Sequence, residues 1–206
     1  MASAERHIAR AGANPRLSPR DHAGVNDRWT KGALLVATPR LQDPNFDRAV
    51  ILMLEHTEDG ALGVVLNRPS ELTVVEAMPE WADNCADPDV VFGGGPVQPG
   101  AAFVVGERPD SRRVDSFAIV FEQIGVIDLS ADAPHDVGRV RVFSGYAGWS
   151  PGQLEGELAE DAWWVVDAEP EDVFVDDPDD LWAQVLRRQS GKLAWFANYP
   201  DDPSSN

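Results

Sequence analysis

RVRVFSGYAGWSPGQLEGE, residues 139–157, is the stretch whose reading decides the fold. Its first half alternates with the period of a strand. Val140, Val142 and Tyr146 are expected on one face, with Arg139, Arg141 and Phe143 on the other. Gly145 and Gly148 bracket Tyr146, so a reversal of the backbone is expected there without a Cβ penalty. The second half spells a helix start. The Ser150 hydroxyl can accept from the amide of the third helical residue, and Gln153 can reach back to the cap amide. Pro151 takes the first helical position, where a missing N–H costs nothing. The stretch therefore predicts a strand, a glycine-aromatic turn and a short helix, and it names no reaction.

Outward from it, strands dominate. Residues 32–37 (GALLVA), 49–54 and 61–66 read as buried strands, and the last two are close enough to form an antiparallel hairpin. Further strands are predicted at 90–92, 101–105, 117–121 and 162–166, with strand or helix at 124–129. Short helices are predicted at 73–77 and 153–158. In DDPDDLWAQVLRRQSG (176–191) Asp177 caps, Pro178 opens and Gly191 stops a helix with Leu181, Trp182 and Val185 on its apolar face. Helices do not alternate with strands at βαβ spacing. The class expected is α+β, with a mixed, mainly antiparallel, extended or bifurcated sheet flanked by a few short helices. Residues 30–200 read as a single domain, 1–29 as a flexible tail in which Trp29 marks the first docked residue, and 201–206 as a frayed acidic end.

The chain has 206 residues and a net charge of −18. Residues 1–30 hold five arginines against Glu5, Asp21 and Asp27, a balance of +2. Residues 152–206 hold fourteen acids against Arg187, Arg188 and Lys192, a balance of −11, which leaves −9 for 31–151. So acidic a folded part repels phosphate backbones, and direct nucleic-acid binding through it is disfavoured. No run of ~18 apolar residues suits a membrane span. No apolar secretory core is expected, and the lone Cys85 forms no disulfide within the chain. A reducing cytoplasm is the compartment expected.

Candidate chemistry is sparse. FGGGPVQPG (92–100) lacks the lysine of a phosphate loop, and Pro96 and Pro99 forbid an easy helix. It reads as an irregular turn between strands, or as an amide nest for a carboxylate or phosphate. His56, beside Glu55, Glu58 and Asp59, is the alternative catalytic candidate, a general base among carboxylates. No second histidine stands at ligand spacing, and His135 is remote in sequence. Arg68 can clamp a carboxylate or serve an internal salt bridge. Cys85, in DNCADPD, is expected to have a raised thiol pKa. GxSxG, HExxH and paired CxxC are absent. Trp149, beside Tyr146, either lines a contact surface or wedges the turn.

Four segments together carry a family resemblance: GALLVATPRLQDPNFDRAVILMLEH (32–56), GALGVVLNRP (60–69), GGPV (94–97) and RVFSGYAGWSPGQLEGELAEDAWWV (141–165). As a set they resemble the YqgE/AlgH family of bacterial proteins, over about residues 32–190. Ser150 departs from the glycine expected there and improves the helix cap. The resemblance implies a compact α+β domain with a bifurcated sheet, a cytoplasmic protein of unsettled role, and, for some members, the label of transcriptional regulator. If the family motifs form one surface, its residues here are Asn67, Arg68 and Pro69, then Gly94, Gly95 and Pro96, then Gly145, Tyr146, Gly148, Trp149 and Gln153. The reading expected is a non-enzymatic binding or regulatory protein with a protein partner or small ligand, and no cofactor or metal. The alternatives are a hydrolase-like enzyme using His56 with nearby carboxylates, and a regulator binding DNA through the arginine-bearing tail. Oligomeric state is not legible in the sequence.

Overall fold

The computed structural model describes residues 29–41, 43–108, 116–129 and 137–199. The expectations for residues 1–28 and 201–206, and His135, fall outside them. Strands β1 (Ala33–Ala37), β2 (Val50–Thr57) and β3 (Gly60–Val65) form an antiparallel meander. The hairpin expected between the last two is present, closed at Thr57↔Gly60. Leu34, Leu52 and Val64 pack on one face, and Leu35, Ile51 and Val65 on the other. Burial on both faces is why these strands read as continuous apolar runs and not as alternation.

Strand β4 (Pro69–Thr73) leads through α1 (Val74–Ala77) and a 3₁₀ turn (Pro79–Asn84) to β5 (Val90–Gly93) and β6 (Val97–Glu107). Then come β7 (Phe117–Phe121), β8 (Ile124–Ile127) and β9 (Val140–Trp149). Helix α2 (Gln153–Ala159), strand β10 (Trp163–Asp167), and helices α3 (Pro170–Val173), α4 (Leu181–Arg187) and α5 (Leu193–Phe196) complete the described order. The strands form one ten-stranded sheet along β10-β1-β2-β3-β9-β6-β8-β7, with β4 and β5 branching from it. Only the β5–β9 pairing between named strands is parallel. The α+β class with a mainly antiparallel sheet is what the sequence predicts.

The branch lies at β9. One edge of β9 pairs with β6 along most of its length. The other edge is shared: β5 takes Phe143 and Ser144, and β3 takes Ala147 to Trp149. Between β5 and β6 the chain crosses over β9, because it leaves one edge at Gly93 and rejoins the other at Val97↔Tyr146. Two backbones touch at that crossing. A Cβ on Gly94 would lie 2.2 Å from the Gly145 carbonyl oxygen, and one on Gly95 would lie 2.2 Å from the Tyr146 carbonyl carbon. Gly95 also sits at φ +150° and Gly145 at φ +73°. The irregular turn expected at 93–100 is therefore a strand crossing, for which glycine is the only residue that fits.

Three details differ from the sequence reading. First, β9 does not reverse at Gly145 to Gly148 but runs on to Trp149, with Gly145 taken up inside it. Its parity changes there, so Tyr146 packs with the cluster of Phe143 and not with Val140 and Val142. Second, α2 begins at Gln153 behind Gly152 at φ +75°, leaving Pro151 in a turn. The glutamine half of the expected box is present, since the Ser150 N–H donates to Gln153 Oε1 at 3.1 Å. Third, a 3₁₀ turn (Pro178–Asp180) precedes α4, and Gly191 (φ +69°) lies beyond the helix end. As expected, α4 buries Leu181, Trp182 and Val185; the Trp182 indole N–H reaches the Ala37 carbonyl at 2.9 Å.

Arg141 is 1% exposed. Its guanidinium donates to five main-chain carbonyls: Val173 (3.2 Å), Ala86 (3.4 Å), Pro88 (3.0 Å), Asp87 (2.9 Å) and Val175 (3.0 Å). It also stacks over Phe92 at 4.4 Å. Burial pushes its pKa down to about 10, which leaves it cationic at neutral pH. One side chain thus ties the loop before β5 and the segment after α3 to the sheet.

Candidate functional site

The motif residues at 67–69, 94–96 and 145–149 meet, because the crossing brings them together. The Gly93 N–H donates to the Arg68 carbonyl at 2.8 Å, the Gly94 N–H to Ser144 at 2.9 Å, and Val65 donates to Gly94 at 2.9 Å. Most of their polar groups are spent on main chain. Asn67, 4% exposed, accepts from the Val50 N–H at 3.0 Å and donates to the Arg48 carbonyl at 2.9 Å, which fixes the start of β2. Arg68 donates to the carbonyls of Asn67 (2.9 Å) and Asp47. Burial lowers its pKa, opposed by Asp47 and Asp179. Arg68 thus serves the chain internally, through carbonyl oxygens and not the carboxylate clamp considered from sequence. Pro69 and Pro96 are exposed at the margins.

His56 is sealed. Its side chain is 1% exposed, under the edge of the Trp29 ring with centroids 5.1 Å apart. The Thr30 N–H donates to Nδ1 at 3.2 Å, the Thr30 hydroxyl lies 3.0 Å from the same atom, and Nε2 stands 3.6 Å from Glu155 Oε1. The order Thr30, His56, Glu155 has the outline of a nucleophile relay. However, a main-chain N–H already holds the Nδ1 lone pair, and both Thr30 and His56 are buried. The arrangement docks the chain before β1 onto β2. At Cys85 the thiol pKa is raised, the direction expected from the sequence, but burial is the main cause; Arg141 opposes it, and the neighbouring Asp89 and Asp87 add less. Among the described residues, no three His, Cys, Asp or Glu side chains gather as metal ligands would.

At its end, β2 is open on the opposite face, where Glu55 and Thr57 are exposed. Side chains alternate along a strand, so Glu55 and Thr57 point away from His56. The registers Glu55↔Leu62 and Leu62↔Gly148 set these residues in one row. Next to that row stand Tyr146 and its partner Val97. Together they line an open groove of ≈610 Å³, with Asp59 at its rim. Gly148 leaves room for the tyrosine: a Cβ there would come within 3.0 Å of the ring. Phe103 holds the other side of Tyr146 in an edge contact at 5.7 Å. Among the described residues, Glu55 and Asp59 are the charged ones that line the groove.

A family model described as AlgH-like matches residues 34–194. The chain belongs to the AlgH-like family. A UPF0301 protein of Streptomyces avermitilis is 52% identical over 184 residues, covering 85% of this chain and 94% of that one. A UPF0301 protein of Mycobacterium bovis is 43% identical over 199 residues, with 93% and 98% covered. Protein DIP2367 of Corynebacterium diphtheriae matches in structure with a TM-score of 0.78 at 32% identity, over 82% of this chain and 92% of that one. The AlgH protein of Pseudomonas aeruginosa matches with a TM-score of 0.63 at 27% identity, over 87% and 99%. The family resemblance read from the four segments is thereby confirmed. None of these names assigns a reaction. No described helix of this AlgH-like chain is long and apolar enough to cross a membrane.

Behind the groove the AlgH-like fold has a hub that the sequence reading missed. Glu157 Oε2 accepts from the indole N–H groups of Trp149 and Trp163, each at 2.8 Å, and Oε1 accepts from Gln153 at 3.0 Å. The two indole rings meet edge to face at 6.1 Å. Trp149, 7% exposed, gives its indole N–H to this hub and also lines the groove, and Gln153 stays exposed on α2. The i, i+4 spacing of Gln153 and Glu157 was the available signal. Glu157→Leu is expected to cost about 2–3 kcal/mol, at roughly 1–1.5 for each indole N–H left without an acceptor. Urea unfolding measures it. In the Glu157→Leu background, Trp163→Phe should add little, because its N–H has already lost its partner.

Proposed function

We propose that this AlgH-like protein is a non-enzymatic binding protein, with a regulatory role exerted through a protein partner at the Tyr146 groove. One contrast carries the reading. His56, the proton-transfer candidate of the motif segments, is sealed and its base nitrogen occupied, whereas an aromatic, acid-rimmed groove stands open on the other face of the same strand. Such a groove offers what an interface anchor needs, a rigid aromatic floor with polar edges. The reducing cytoplasm suits the lone Cys85 and belongs to the same proposal.

Tyr146→Ala and Glu55→Arg test it, with Val165→Arg on β10 as a control remote from the groove. Partners retained by the tagged wild-type chain are quantified against each variant. Glu55→Arg should keep the thermal midpoint within a few degrees, whereas Tyr146→Ala, which empties the ring's place beside Phe103, should lower it, so its partner recovery is compared below that midpoint. Loss of an anchor aromatic should weaken the partner by about 30-fold, equivalent to roughly 2 kcal/mol. Val165→Arg should change nothing. Undiminished partner recovery with both groove variants would remove the site. Turnover of a small metabolite that stops in His56→Gln would remove the non-enzymatic reading.

A further inference from the structure

We propose that the partner presents an arginine side chain to the groove, and that Glu55 and Tyr146 hold its guanidinium between them across Leu62. This names the chemistry of the partner and rests on the groove being the contact surface. Geometry, charge and stiffness all favour a planar cation there.

The sheet sets the geometry. Glu55 stands opposite Leu62, and Leu62 opposite Gly148. Gly148 has no side chain, and the Tyr146 ring takes that place: a Cβ on residue 148 would come within 3.0 Å of Cε2. Neighbouring strands lie about 4.7–4.9 Å apart, so the ring and the Glu55 backbone flank Leu62 at a separation of roughly 10 Å. A cation resting over Leu62 lies within about 6 Å of the ring, the range of a cation–π contact, and the Glu55 carboxylate reaches it from the other side. The half-buried Leu62 and Val97 suit the methylene stem of such a side chain.

Charge selects the sign of the ligand. Among the described residues, the arginine ion pairs engage acids away from the groove: Arg139 holds Glu107 and Glu171, Arg187 holds Asp180, Arg188 holds Asp172, and Arg40 holds Asp161. Glu55 and Asp59, both exposed, are in none of these pairs. A protein of net charge −18 also draws cationic partners from a distance and repels anionic ones. Arginine fits better than lysine. A planar guanidinium stacks on a ring and forks to a carboxylate at once, whereas a lysine ammonium is a strongly hydrated point charge.

Stiffness raises the affinity that such a contact reaches. Phe103 meets the Tyr146 ring edge on at 5.7 Å. Thr57 Oγ1 accepts from the Asp59 N–H at 3.2 Å, which steadies the turn that carries the second acid. A site whose aromatic is already seated loses little conformational freedom on binding. The groove's ≈610 Å³ falls within the roughly 300–1,000 Å³ of sites that take a drug-sized ligand, ample for one arginine and its neighbours.

The experiment titrates the full ¹⁵N-labelled chain with acetylated, amidated tripeptides: Leu-Arg-Leu, Leu-Lys-Leu and Leu-citrulline-Leu. Citrulline has the shape of arginine without its charge. The salt is held at about 0.15 M, where exposed charges more than about 8 Å apart are largely screened. The arginine peptide should shift the amides of Leu62, Tyr146 and Gly148 and saturate with a Kd of order 1 mM. The lysine peptide should bind about threefold more weakly, and the citrulline peptide about tenfold or more. Glu55→Gln with Asp59→Asn, both surface exchanges, should weaken the arginine peptide about tenfold and leave the thermal midpoint in place. Equal binding of the arginine and citrulline peptides, shifts centred on the acids before α4, or no saturable shift up to about 20 mM would each overturn the proposal. Groove shifts that grow with protein concentration alone would overturn it too, by assigning the groove to a second copy. Partner capture then separates this inference from the one it rests on. Recovery should fall both in Tyr146→Ala and in the doubly neutralised protein. Recovery lost only in Tyr146→Ala would keep the groove as the contact surface and refute the cation. Recovery kept in both would remove the groove, and the proposal with it.

Discussion

Arg141→Ala is expected to lower stability by about 4 kcal/mol, which is most of the margin of many domains. The substitution strips hydrogen bonds from five carbonyls at once, two of them in the buried residues Ala86 and Val173, and leaves a guanidinium-sized void. Breaking a buried charged contact on one side costs about 3–5 kcal/mol, because the abandoned partners stay desolvated. Large-to-small truncation in a core adds to this. With a urea m-value of ~2 kcal/mol/M, the midpoint should fall by about 2 M. Arg141→Lys is the informative companion. Lysine keeps the charge but offers three donors from one atom, and it cannot span two loops as a planar fork does. A loss of about 2 kcal/mol is expected, with limited proteolysis appearing first near residues 86–88 and 173–175. A near-neutral Arg141→Lys would mean that charge alone, and not the five-point geometry, holds those loops.

What was legible in the sequence divides by the range of the interaction that carries it. The apolar runs at 34–37, 50–54 and 61–66 specify strands because burial on both faces leaves no polar positions. The hairpin between β2 and β3 is local, so its turn residues announce it. The apolar face of α4 is likewise local. The groove was half legible: Tyr146 and Gly148 stand out as an aromatic between glycines, but Glu55, Leu62 and Val97 join them only through the registers of four strands. The sealing of His56 was not legible at all. In sequence it lies beside carboxylates, and its actual partners, Thr30 and Glu155, are 26 and 99 positions away. Arg141 shows the same limit. Alternation placed it correctly on a strand, but no pattern within that strand reveals the two distant loops whose carbonyls enclose it.

The crossing at Gly94 and Gly95 is where local reading and fold diverge most, and it yields the second large effect. Gly95→Ala is expected to cost about 4 kcal/mol and to compromise folding of the β5–β9–β6 branch. Two causes add. The new Cβ would sit 2.2 Å from the Tyr146 carbonyl carbon and 2.4 Å from the Ala147 nitrogen, which are backbone atoms in a paired strand and cannot turn aside. Overpacking of this kind costs about 1–3 kcal/mol. Residue 95 must also hold φ +150°, a conformation that costs a non-glycine residue about a further 1–3 kcal/mol. Gly100→Ala is the matched control, five residues on within the same glycine-proline run. Among the described residues no heavy atom lies within 4 Å of its added Cβ, and its φ is not positive. Its stability should change by less than about 1 kcal/mol, with a gain as plausible as a loss, since alanine restricts the unfolded chain. Urea midpoints of the two variants decide between the readings of FGGGPVQPG. A strand crossing predicts a severe Gly95 variant beside a benign Gly100 variant. An amide nest held open for an anion predicts that Gly95→Ala folds normally and loses only a ligand, so a stable Gly95→Ala protein would refute the crossing as the reason for these glycines.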